Sequence, residues 1–107
     1  MTESFTIYKI TILYMLDQVD FPLSNTQFSD FFLYQDYTDY FSVQEVLNDL
    51  VDAQMLRTRS THSNTQYSIT AAGKETLGFF KDKITEGIEK DVLKFFAENK
   101  VALRQEN

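Results

Sequence analysis

Apolar side chains recur along residues 5–18 with almost no polar interruption. Ile7, Ile10, Leu13 and Tyr14 make one helical stripe, and Tyr8, Ile12, Met15 and Leu16 fill much of the remaining circumference. A helix apolar on most sides has to be covered on most sides, either by a central position in its own core or in part by a second copy of the chain. Phe21-Pro22-Leu23 follows as a short extended piece, because Pro22 fixes its own φ and biases Phe21 away from helix. Ser24-Asn25-Thr26-Gln27 is a capping box that opens a second helix over about 25–35, burying Phe28, Phe31 and Phe32. The link Gln35–Phe41 carries Tyr37, Tyr40 and Phe41. Aromatics in such a link pin it to the core more often than they form a contact patch, and Phe41 is expected inside.

A second box, Ser42-Val43-Gln44-Glu45, predicts the start of a third helix. Val43, Val46, Leu47, Leu50 and Val51 then recur at the spacing of one buried face. The outward set is Gln44, Glu45, Asn48, Asp49 and Asp52. Past Met55 the period changes to two: Leu56, Thr58 and Ser60 alternate with Arg57 and Arg59. The polar loop Thr61–Thr65 follows, and Gln66–Thr70 returns with Tyr67 and Ile69 on one side. Two such runs around a turn-prone loop predict a hairpin. Thr70 caps a fourth helix, about 71–83, with Leu77 and Phe80 as its apolar contacts. Thr85 caps a fifth, 86–99, whose stripe is Ile88, Val92, Phe95 and Phe96.

Helix, extended piece, two helices and a two-stranded ribbon is the order of a winged helix-turn-helix. The expected fold is therefore mainly α with a small β-hairpin wing (α+β), and a C-terminal helical extension. Residues 1–83 form the winged-helix domain, and 84–107 form a C-terminal helix and tail suited to dimerisation. A chain of 107 residues suits one core.

The stretch Tyr67-Ser68-Ile69-Thr70-Ala71-Ala72-Gly73-Lys74-Glu75-Thr76-Leu77 resembles the end of the wing in PadR- and MarR-type regulators. There an aromatic strand runs into a capped helix, and Gly73 stands where the new helix comes close. A more specific likeness covers about residues 5–100. Tyr8-Lys9 before an aliphatic helix, Val19-Asp20-Phe21-Pro22-Leu23-Ser24-Asn25, Tyr37-Thr38-Asp39-Tyr40-Phe41 and Glu75-Thr76-Leu77-Gly78-Phe79-Phe80 resemble a bacterial, mainly clostridial, family known only as a domain of unknown function with a winged-helix fold. The helix-five stripe pairs with helix one or with its equivalent in a partner, and the resemblance implies a homodimer joined through terminal helices, with Tyr8, Ile12, Met15, Ile88, Val92, Phe95 and Phe96 at the interface. It also implies a further strand-rich portion in family members, so the chain is either a short member or the first part of a longer protein.

Charge narrows the functional choices. Residues 1–56 carry nine acids against the single cation Lys9, a net −8, whereas residues 57–107 carry nine cations against seven acids, a net +2. A polyanion such as double-stranded DNA must meet the second half first. Arg57 and Arg59 share one strand face, with His62 and Asn64 at the loop beside them, and these are the expected phosphate contacts. Asn25 and Thr26 sit at a helix N-terminus, where a phosphate can be held. Gln44 and Asn48 on the third helix are the candidate adenine readers, opposed by Glu45, Asp49 and Asp52. The same acids define the alternative, a protein-interaction module whose acidic face takes a basic protein partner.

Enzymatic chemistry finds little support. There is no cysteine and one histidine, so neither a zinc site nor a nucleophilic triad can be assembled convincingly. The three glycines lie in the C-terminal helices and form no phosphate cradle. No enzyme activity, metal or cofactor is expected. The acidic start Met1-Thr2-Glu3-Ser4 precedes no signal-type apolar core, and no segment reads as a membrane span. Cytoplasmic residence is the expectation.

Overall fold

A computed structural model describes residues 3–105, so the outermost residues of the two expected segments, 1–2 and 106–107, lie outside the described residues. The elements run α1 (Glu3–Asp17), β1 (Leu23–Ser24), α2 (Asn25–Tyr34), α3 (Tyr40–Asp52), β2 (Leu56–Ser60), β3 (Thr65–Ile69), α4 (Ala71–Phe79), a 3₁₀ turn (Lys81–Lys83) and α5 (Glu86–Glu98). The fold is thus α+β, with five helices and one small antiparallel sheet in the order β1-β3-β2. The Cα radius of gyration is 12.8 Å, against about 13 Å expected of one compact domain of this length.

The all-round apolarity of α1 is explained by its place in the middle. Ile12, Leu13 and Met15 are fully buried, and α3, α4 and β3 pack around the helix. Thr11, buried with them, turns its hydroxyl back to donate to the Ile7 carbonyl at 2.7 Å. The core continues through Phe28, Phe31 and Phe32 of α2, Val43, Val46, Leu47 and Leu50 of α3, and Val92, Phe95 and Phe96 of α5. Edge-on ring contacts knit this part together, Phe31 meeting both Tyr37 (5.5 Å) and Phe95 (5.4 Å).

The box at Ser24 forms as the spacing predicts. Ser24 Oγ accepts from the Gln27 amide, and Gln27 Oε1 accepts from the Ser24 amide. The start of α3 differs. Its cap is Asp39, whose carboxylate accepts from the Ser42 amide at 2.8 Å, so the helix begins one turn before Ser42-Val43-Gln44-Glu45. A charged cap beside the positive end of the helix dipole outcompetes a serine further along. This places Phe41 in the first turn facing solvent, 80 % exposed, and corrects the expectation that it packs inside.

The two wing strands pair Leu56 with Ile69, Arg57 with Ser68, Thr58 with Tyr67, and Arg59 with Gln66. Leu56 and Tyr67 are buried and Ile69 packs against the core, on the same ribbon face as the exposed Thr58, and Arg57, Arg59, Gln66 and Ser68 share the other face. Helix α4 stops sooner than 83. The Phe80 amide bonds both Thr76 and Leu77 carbonyls at 3.2 Å, the last turn tightens into the 3₁₀ segment, and Phe80 is left partly exposed.

Candidate nucleic-acid interface

The expected contacts divide into a group held inside the molecule and a group left outside. Asn25, the first residue of α2, and Gln44 on α3 pair through their amides: Asn25 Nδ2 donates to Gln44 Oε1 at 2.6 Å, and Gln44 Nε2 donates to Asn25 Oδ1 at 3.0 Å. Gln44 also donates to Ser29 Oγ at 3.1 Å, and Asn25 to the Tyr67 hydroxyl at 3.2 Å. This network ties α2, α3 and the central strand together. Both amide groups are occupied in it, so in this arrangement Gln44 is turned toward α2 and positions one helix against the other. The spacing showed that Gln44 lies outside the apolar face of α3, but could not show that Asn25 stands opposite.

Asn48 is exposed on α3, flanked by exposed Glu45 and Asp52. Asp49 is compensated: Lys9 Nζ of α1 lies 3.4 Å from its Oδ2. That oxygen is buried and makes no hydrogen bond, so the contact is a charge pairing without hydrogen-bond geometry. The sole cation of the first half thereby neutralises one of the three carboxylates that oppose DNA. Thr26 is exposed at the start of α2.

The β2–β3 ribbon carries exposed positive charge. Arg57 and Arg59 are exposed, and neither pairs with a carboxylate among the described residues. Their cross-strand neighbours Ser68 and Gln66 are uncharged. The tip is closed by Thr61, whose amide and hydroxyl both donate to the Asn64 carbonyl, at 2.7 and 3.1 Å. His62 is exposed there and Asn64 half-exposed. Arg57, Arg59, His62 and Asn64 are therefore brought together on one ribbon.

The stripe expected to join two copies sits elsewhere than on a surface. Ile12, Met15, Val92, Phe95 and Phe96 all belong to the core of one chain. Tyr8 is half-buried, donating its hydroxyl to the Tyr37 carbonyl at 2.7 Å, and Ile88 packs against the core edge. Within one chain the apolar area of this stripe is covered, so of the two pairings open for helix five the single chain forms the internal one. The periodicity of α5 marked one buried face, but not which element buries it.

Sequence reasoning missed the Tyr37–Asp91 pair. The Tyr37 hydroxyl donates to an Asp91 carboxylate oxygen, linking the α2–α3 connection to α5. Burial first, then that hydrogen bond and the Asp91 charge, raise the phenol well above its ordinary range. Residues 54 apart in the chain carried no local signal of this contact. Among the described residues, no group of three or more His, Asp or Glu side chains is placed to hold a metal ion. No helix there is long and apolar enough to cross a membrane.

What the fold and this ribbon define is a small α+β domain with a basic hairpin beside a helix pair. The family described as a domain of unknown function (DUF4364) matches residues 8–107, and the chain belongs to it. Neither a curated protein nor a solved structure matches.

Proposed function

We propose that this domain is a winged-helix DNA-binding regulator of transcription that meets phosphates through its wing. The element order α1-β1-α2-α3-β2-β3 with sheet order β1-β3-β2 supports the winged-helix reading. In that class the helix in the position of α3 enters the major groove. The observation that carries the proposal is the outer face of the ribbon, where Arg57 and Arg59 stand exposed with no acid opposite them. Asn48 is the remaining base-reading candidate, since Gln44 is committed to Asn25. The protein works as a homodimer in this reading.

Fluorescence anisotropy with a labelled duplex, followed from low to physiological salt, tests this. Neutralising two or three phosphates gives a slope of log K against log salt of about −2 to −3, and Arg57→Ala reduces its magnitude by about 1. Absence of salt-dependent binding at low ionic strength defeats the proposal.

A second reading rests on a separate observation. The exposed face of α3 presents Glu45, Asp52 and the 80 %-exposed Phe41, a surface suited to a basic protein partner. In that case Glu45→Lys abolishes partner binding and Arg57→Ala leaves it intact.

A further inference from the structure

Helices α2 and α5 are joined at depth by the Phe31–Phe95 ring contact and leave a groove of about 450 Å³ above it, lined by Asp30, Leu33, Tyr34, Phe95, Glu98 and Asn99. Its apolar wall is open: Leu33 is 45 % and Tyr34 71 % exposed. Its charged groups are all acidic. Neither Asp30 nor Glu98 has a cationic partner among the described residues. Asn99 Nδ2 donates one of its two hydrogens to the Phe95 carbonyl at 2.8 Å. No cation lines the site.

We propose that this groove docks an amphipathic helical segment of a partner protein, with apolar residues on one face flanked by Lys or Arg. Two carboxylates call for donors and positive charge, and Leu33 with Tyr34 calls for an apolar ridge between them. The same carboxylates repel nucleic acid and anionic lipid. Both walls are helices, so the groove offers an extended peptide no strand edge to extend. A second copy is a poorer fit, since the outward face of α5 intersperses Glu86 and Glu89 with Lys90 and Lys94. The site is separate from the proposed DNA contacts. At about 100° per residue, Asp30 and Tyr34 lie roughly 140° and 180° around α2 from Asn25, which faces α3.

The test uses the full chain, isotope-labelled for NMR, and two synthetic helical peptides of identical pattern, one Leu/Lys and one Leu/Glu. The Leu/Lys peptide should shift resonances at 30–34 and 95–99, and Leu33→Glu should weaken it about tenfold or more. Asp30→Lys with Glu98→Lys should do the same and let the Leu/Glu peptide bind. Reversing two acids elsewhere, Glu75→Lys with Asp82→Lys, should leave affinity within about twofold. All substituted positions are exposed, so dispersed spectra verify folding. Equal weakening by the two charge reversals, equal binding of both peptides, or shifts outside the groove overturns the proposal. So does a wild-type dimer in sedimentation that Leu33→Glu dissociates, because the occupant is then a second copy.

Discussion

A methyl group added at Gly73 would lie 2.4 Å from the Met55 carbonyl oxygen and 2.8 Å from Ile69 Cγ1. The first of these neighbours is backbone, held where the Thr70 amide donates to the same carbonyl at 3.1 Å, so it cannot step aside cheaply. Gly73→Ala therefore destabilises by about 1–3 kcal/mol, the range of an overpacked core, measurable by urea denaturation; an unchanged midpoint contradicts the close approach of α4 to the wing base. Tyr37 makes a pH-dependent contribution. Its phenol is raised in the fold by burial and by Asp91, and Tyr14 is raised by burial, Glu89 and Asp17. An acid whose folded pKa lies above its unfolded value favours the fold fully below the unfolded value, and that contribution is lost as pH rises toward the folded one. Stability should thus fall above about pH 10, the unfolded tyrosine value. Tyr37→Phe should make the fall shallower without removing it, since Tyr14 remains. An identical alkaline slope in the variant counts against the Tyr37–Asp91 bond.

Among the elements, the starts of α2, α4 and α5 were legible, and the stops of α2 and α5 fell within about one residue of the expected bounds, whereas α4 ends at Phe79, short of 83. Ser24, Thr70 and Thr85 all cap as their spacing indicates, because an N-cap is a local contact between a side chain and an amide three residues on. At α3 two such signals compete, and Asp39 prevails over Ser42. Asp39→Ala should accordingly cost about 1 kcal/mol and Ser42→Ala less than about 0.5 kcal/mol in denaturant titrations; the reverse ranking contradicts the observed cap. The stops of α2, α3 and α5 share one device with no glycine in it. Asp36, Gln54 and Lys100 take φ of 58°, 62° and 57°. The amides after them reach back to Phe32, Leu50 and Phe96 at 2.8–2.9 Å, completing Schellman motifs. Ordinary side chains at the left-handed position hide the signal that glycine normally gives. The candidate site was legible where side chains stand alone, as Arg57 and Arg59 do. It was illegible where two distant polar groups meet: position 44 looked outward by period, and only the placement of Asn25 turns it inward.

For the whole molecule, the separation of charge is the organising feature. The first half is strongly acidic, and its one cation, Lys9, is used up on Asp49. The positive charge free to meet a polyanion therefore lies beyond residue 56, with Arg57 and Arg59 on the ribbon. α5 completes the core around α1 and α2, and its far side, with α2, leaves the acid-walled groove. One domain thus carries two proposed surfaces of opposite chemistry: a basic ribbon for phosphate and an acidic cleft for a basic helix. Titration of the isotope-labelled chain with a short DNA duplex at low salt tests the first most directly. Shifts gathered at 57–64 and at Asn48 that fade as salt is raised are expected; an unperturbed ribbon, or shifts confined to the rest of the molecule, would overturn the proposal.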